Sequence, residues 1–409
     1  MLIFMLAGCN SSLDGEELRI TRHTIQNSDP VLSEDALEAS DYAELRAAIL
    51  RHVSAHVTRG IINLYGYAGD VESDVLLAAA DAAQNDPVGA YTVTSIKCTV
   101  EQIVTYYQVI VTPEYRHTKA ETDAIVTAST LRYLRSELLD RMSHYDTGAA
   151  ILTPLTTLTE ADILTYVQEI YYENPLSIVM MPVTTVTIYP SGGRGSRVLD
   201  LSFNYRYDAS LLSVYGSWVS GAAREIAESA RGASDAEILL SLCEHLVDIA
   251  RYNTSASIFS EYVSQDFSAT AYGALGGTDT AIGEGYAMAY KALCDVLALD
   301  CHIVRGTLNG SSHAWTIVSI DGAHYHVDPA MCDVNGMSAA FLIGDREMER
   351  AGYSWDRAGY PVCDGDLTFR EVNAALNPPY RLTTTAPPAP ELAAQVIATP
   401  VIVTEVTNT

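Results

Sequence analysis

The stretch His313-Ala314-Trp315-Thr316-Ile317-Val318-Ser319-Ile320-Asp321-Gly322-Ala323-His324-Tyr325-His326-Val327-Asp328 consists of two β-prone runs around an Asp-Gly pair. Asp-Gly between alternating runs is the strongest short hairpin signal, because a two-residue turn of the matching twist needs positive φ at both positions. Such a loop sets Ile320 opposite Ala323, hence Trp315 opposite Asp328 and His313 opposite Ala330. Side chains alternate along a strand, so His313, Trp315, His326 and Asp328 project from one face, with His313 diagonal to Asp328. A carboxylate within reach of an imidazole is how a histidine is oriented for general-base work.

Upstream, residues 284–299 carry Ala287, Tyr290, Cys294 and Leu297 at helical spacing, and a short strand is expected at 302–304. Ser234-Asp235-Ala236-Glu237 has the form of a capping box, opening a helix through Ile238, Leu239, Leu242, Leu246 and Ile249 to Tyr252. The small, polar run 221–234 before it reads as a domain boundary.

Taken in order, Gly283-Glu284-Gly285-Tyr286-Ala287, Leu293-Cys294, His313-Ala314-Trp315 and Tyr325-His326-Val327-Asp328 resemble the bacterial transglutaminase-like domain, a branch of the papain-like thiol enzymes. The resemblance extends to Phe341-Leu342-Ile343-Gly344-Asp345 and Tyr360-Pro361-Val362-Cys363 and covers about residues 225–375. It implies an α+β fold in which the helix bearing the nucleophile position packs on an antiparallel sheet. The family's His maps to His313 and its Asp to Asp328. Its nucleophilic Cys, placed at a helix N-terminus where the dipole and the His favour thiolate, maps to Gly283, which has no side-chain heteroatom. Cys294 lies eleven residues further along the helix, roughly 16 Å at the standard rise, and cannot take its place. Cys332 follows Asp328 by four residues on the wrong element for the relay, and Pro329-Ala330-Met331-Cys332-Asp333 replaces the family's aromatic-acidic run.

Two departures at one site favour loss of acyl-transfer chemistry. The expected function is a non-catalytic peptide- or envelope-binding pseudoenzyme, with His313 and Asp328 a retained pair. The alternative is an active transglutaminase- or peptidase-like enzyme with a non-standard nucleophile, such as water activated by His313. His324, His326 and Asp328 alternate on one strand face with His313 opposite, which could suit a metal. The family pattern already accounts for His326 and Asp328, and no metal or cofactor is expected.

Composition narrows the partners. The 409 residues hold 24 Lys and Arg against 51 Asp and Glu, a net charge of −27 that argues against nucleic acid and anionic lipid as charge-driven partners. Seven cysteines are too few for a disulfide-framework protein, although an even six remain once Cys9 is set apart. Leu6-Ala7-Gly8-Cys9 after an apolar run resembles a lipoprotein lipobox, which implies a signal segment at 1–9, lipidation at Cys9, membrane contact through that lipid alone and an extracytoplasmic location.

Residues 10–37 read as a polar linker. Leu45, Ile49, Val53 and Val57 mark a helix, and two later stretches, each running thirteen residues from Asp to Pro, recur at an offset of 88 residues: Asp74 to Pro87 and Asp162 to Pro175. Two smaller α/β repeat units are therefore expected at 38–115 and 116–220, before the transglutaminase-like domain at 225–376 and a Pro/Thr-rich tail at 377–409.

Overall fold

The computed structural model describes residues 36–191, 195–253, 266–278 and 280–378. The lipid-anchor reading of Cys9, the linker up to residue 35 and the tail from residue 379 lie outside the described residues.

The first unit runs β1 (Leu37–Ala39), α1 (Tyr42–Ser54), β2 (Gly60–Leu64), α2 (Val71–Gln84), α3 (Pro87–Thr92), β3 (Val93–Ile103) and β4 (Tyr106–Tyr115). The Asp41 and Asp70 side chains cap α1 and α2, each accepting from a backbone N–H of the first turn. Leu45, Ile49 and Val53 on α1 and Val75, Ala78 and Ala82 on α2 bury against Ile62, Val109 and Val111 of the sheet, giving this unit its own core. Val57 falls past the end of α1.

Next come α4 (Lys119–Asp123), β5 (Val126–Thr127), α5 (Leu131–Ser143), β6 (Gly148–Thr153), α6 (Glu160–Glu173), β7 (Val183–Tyr189) and β8 (Arg197–Asn204). Both four-stranded sheets share one plan: the first strand runs parallel to the second, which pairs antiparallel with the last, and the third lies at the edge, in the orders β1-β2-β4-β3 and β5-β6-β8-β7. Tyr42 and Leu131 open α1 and α5, and Val71 and Glu160 open α2 and α6, each pair 89 residues apart. The Ile163, Val167 and Ile170 stripe of α6 is buried, as its spacing predicts.

The boundary expected at residues 221–234 falls differently. Helix α7 (Ala209–Ser229) runs unbroken through Gly221, so the division between residues 220 and 225 cuts a helix. Two of the small residues in this run, Ala223 and Ala227, are buried in the packing of α7. Small side chains let α7 come close to its neighbours.

The last unit comprises α8 (Asp235–Ile249), α9 (Gly283–Val296), β9 (Cys301–Leu308), β10 (Ser311–Ile320), β11 (Ala323–Val327), α10 (Pro329–Asn335), β12 (Phe341–Ile343), α11 (Asp345–Arg350), β13 (Tyr353–Trp355) and α12 (Phe369–Leu376). Its sheet is antiparallel in the order β12-β11-β10-β9-β13. The chain is therefore a mixed α+β protein. Tyr286, Ala287, Met288, Ala289, Tyr290, Ala292, Leu293 and Cys294 of α9 are all buried, so this helix has no solvent stripe and runs through the middle of the unit, while Leu297 lies past its end and is partly exposed. The core around it continues into the second unit through Val219 and Ala223 to Leu134, Ile163 and Leu201.

The β10–β11 register is the one a two-residue turn dictates, with Ile320 opposite Ala323 and Ile317 opposite His326. Asp321 (φ 51°) and Gly322 (φ 83°) both lie in the left-handed region. Gly322→Ala is expected to lower stability by about 1 kcal/mol and the melting temperature by a few degrees, since the new Cβ is strained at that φ. An unchanged melting temperature would show that this turn does not constrain the hairpin.

Candidate functional site

His313 stands on β10 and is 9% exposed; Asp328, 0% exposed, is the N-cap residue of α10 at the end of β11. The register sets them on the diagonal, and His313 Nε2 lies 2.7 Å from Asp328 Oδ2. Tyr353 of β13 donates its hydroxyl to the same oxygen at 2.7 Å, and the Met331 N–H donates to Oδ1 at 3.1 Å. The carboxylate thus holds three donors in a buried setting, where each unpaired acceptor would cost about 1–3 kcal/mol. Burial, followed by the Asp328 charge, pushes the Tyr353 hydroxyl far above its ordinary value, so it remains a donor at any physiological pH.

With Nε2 committed to Asp328, Nδ1 is the free ring nitrogen, and it points at Gly283. Gly283 is the first residue of α9, following Ile282 as an N-cap without a side-chain hydrogen bond. A Cβ built there would meet His313 Cε1 and lie 2.5 Å from His313 Nδ1, with the Ala314 carbonyl oxygen at 3.3 Å. The helix terminus, the imidazole and its carboxylate are therefore assembled, but the ring occupies the volume into which a side chain at 283 would project. Proton acceptance by Nδ1 lacks a donor from residue 283.

The other predicted residues divide into separate groups. Trp315 Nε1 donates to His326 Nδ1 at 2.9 Å, and because an indole N–H can only donate, His326 Nδ1 must accept. The proton is then on Nε2, which donates to Asp345 Oδ1 at 3.0 Å. Arg357 donates to Asp345 Oδ2 at 2.8 Å, and the Cys363 N–H to Oδ1 at 3.2 Å. His326, Asp345 and Cys363 place one ligand-type atom each within 4.8 Å of one another. A metal there would need the Nε2 lone pair that the Trp315 bond removes, so the trio fits a hydrogen-bonded lock better than a metal centre. Burial drives the His326 imidazole below its usual value and pushes the Cys363 thiol up to about 12. His324, opposite Ser319, belongs to neither group. Cys294 is buried within α9, and Cys332 is buried on α10.

Sequence reading gave three contributors no role. Tyr353 and Asp345 lie in segments joined to the hairpin only by tertiary pairing, and Tyr172 comes from α6 of the preceding unit, donating its hydroxyl to Glu284 Oε1 at 2.6 Å. Arg305 of β9 bonds Gln168 of α6 at 2.8 Å and stacks over the Tyr172 ring at 5.0 Å. Burial raises the Glu284 carboxyl, while the Tyr172 bond and the Arg305 charge oppose that rise. A repeating Tyr-Tyr at the end of α6 was the one available signal, with nothing local to give it a partner.

No family model and no curated protein matches the chain. Among solved structures it is similar to a transglutaminase, at 10% identity over 53% of this chain and 61% of that one, with a TM-score of 0.25. It is also similar to a protein described as a cysteine protease from Cytophaga hutchinsonii, at 13% identity over 44% of this chain and 69% of that one, with a TM-score of 0.24. The chain thus spans less than two thirds of the transglutaminase.

Two outcomes follow from this geometry. Gly283→Ala is expected to cost about 1–3 kcal/mol by overpacking against a ring that Asp328 holds in place. In a His313→Ala background the same change should be neutral or stabilising, because alanine is the better helix residue and the space is free. Urea unfolding of the four chains measures the coupling, and additive effects would refute the contact. Because the folded-state value of His326 lies below its unfolded value, the unfolded chain binds more protons as pH falls below about 6.5. The stability from burying the neutral ring is complete above that pH and is lost below it, so His326→Gln should flatten the fall in melting temperature between about pH 6.5 and 5.

Proposed function

We propose that this chain is a non-catalytic, transglutaminase-like protein of the papain-like class, tethered outside the bacterial cell membrane by lipid at Cys9, whose last unit binds a peptide or cell-envelope ligand. One observation carries the reading: the position from which an acyl nucleophile would act is glycine, and the His313 ring is packed against it. Covalent acyl transfer needs an atom that attacks a carbonyl and a base that takes its proton. The base and its carboxylate partner are present, but a residue able to attack is missing at 283. What such a site retains is the binding and electrostatics of the remaining groups. The lipobox-like Leu6-Ala7-Gly8-Cys9 supports the tether, and the net charge of −27 supports a partner other than nucleic acid.

Amine incorporation into a glutamine peptide and hydrolysis of casein peptides test the reading on the full chain beside His313→Ala. Both are expected at the buffer background. Turnover by the native chain that His313→Ala abolishes would overturn it and require another nucleophile. For the tether, growth of a bacterial host with radiolabelled palmitate should label the native chain and leave Cys9→Ser unlabelled; equal labelling or none refutes lipidation at Cys9.

A further inference from the structure

The edge strands of the three sheets are not equally guarded. β12 and β13 have three residues each and β5 has two, too few to offer a second chain much backbone. β1 has three and carries Glu38 at its centre. The informative contrast is between β3 and β7, which hold the same edge position in two sheets of one plan. β3 carries Lys97 and Glu101, and its pairing with β4 slips between Val93 and Ser95. Charge and a bulge keep an exposed edge from pairing with another molecule. β7, Val183-Thr184-Thr185-Val186-Thr187-Ile188-Tyr189, has neither: no residue in it is charged, it is β-branched up to the closing tyrosine, and all seven residues pair with β8 without a shift. Val186 and Ile188 pack against the core, while Val183, Thr185 and Thr187 are exposed. Among the described residues no strand pairs with the other side of β7.

We infer that the β7 edge is where two copies of this chain pair, antiparallel and about a two-fold axis, joining two four-stranded sheets into one. Such an axis stands perpendicular to the sheet and keeps the core-facing side chains of both copies on one side, so an odd slip, which would set a core-facing residue opposite an exposed one, is excluded. The sequence selects among the even registers. Pro182 and Pro190 flank β7, and neither has an N–H to donate to a ladder. With Val186 opposite Val186 of the second copy, Pro182 falls opposite Pro190, and every residue between them faces another that can donate. A slip of two would set a proline against Thr184 or Ile188. The same register pairs Thr185 with Thr187 and Val183 with Tyr189, combinations that stabilise antiparallel ladders. The Tyr189 ring is held in place by Arg116, whose guanidinium lies over it at 4.8 Å. Charge points the same way. At a net charge of −27 two copies repel over most of their surface, and a neutral strand lets two backbones meet without setting like charges opposite each other. A two-fold contact uses the same edge on both copies and stops at two, so the unguarded strand is closed off from open-ended assembly.

Sedimentation equilibrium of the full chain at up to about 100 μM, enough to populate a dimer of micromolar Kd, is expected to give twice the monomer mass. Thr185→Lys together with Thr187→Lys sets like charges face to face across the two-fold and should return the chain to a monomer. Because these changes lower the net negative charge, general repulsion between copies cannot account for that loss. Thr185→Glu together with Thr187→Glu should dissociate it as well. Both positions are exposed, so the circular dichroism spectrum of each variant should match that of the native chain. An equal mixture of the basic and acidic variants should recover the dimer mass, since each Lys then faces a Glu, and a strand that had merely lost its fold could not recover it. A native monomer at the highest concentration, a dimer that survives both charge variants, or a mixture that stays monomeric overturns the proposal; the first of these would leave the edge to an extended peptide instead. Neither lipid nor turnover enters the measurement, so its failure leaves the proposed function untouched, and the reverse also holds.

Discussion

Everything in the last unit depends on the burial of α9 on all its faces. A helix without a solvent stripe must be matched on every side, and its neighbours are α7, α8, α10 and the β9–β10 ladder. That requirement fixes the location of its N-terminus, and the terminus faces His313. Close packing leaves no spare volume at such a point. With glycine at 283, the imidazole settles against the backbone and remains bonded to Asp328. Packing of the central helix and the state of the site are therefore one constraint rather than two.

The histidine–carboxylate pair beside that terminus is itself fixed by burial. Asp328 caps α10 through Met331, accepts from Tyr353 and His313, and is fully buried. Removing one donor leaves a buried charged acceptor short of a partner, which costs more than a surface change. The pair is thus held by stability whether or not it takes part in chemistry. The Trp315–His326–Asp345–Arg357 chain is built in the same way on the same hairpin face, with each proton assignable from the donor-only indole onward. Two polar networks lie side by side on one sheet, so an imidazole–carboxylate contact alone does not define an active site.

The hairpin was the most legible part of the molecule. Asp321-Gly322 fixes a register, register fixes faces, and faces bring His313 to Asp328 and Trp315 to His326 without any long-range information. The helices α1, α6 and α8 follow from apolar spacing and capping residues for the same reason: their determinants are local. Legibility ends where partners come from distant segments. Tyr353, Asp345 and Tyr172 reach the site through strand pairing or helix packing that no short window encodes. The start of the Gly221 to Ser234 run, which reads as a domain boundary, lies inside α7, since small residues suit a boundary and a close helix contact equally well and only packing separates the two.

The contact of α6 with this region changes what the second unit is. Tyr172 bonds Glu284, the residue next to Gly283, and Gln168 holds Arg305 on the adjoining strand, so the preceding α/β unit forms part of the wall beside the helix terminus. The buried core is continuous between these two units through Val219 and Ala223. The first unit, by contrast, closes its own core around Ile49, Ile62 and Val109. Two units with the same strand plan therefore stand in different relations to the site: one is built into its rim, and the other is self-contained. A molecule reaching the His313 edge would meet Gln168 and Tyr172 of α6 as well as Arg305 of the last unit.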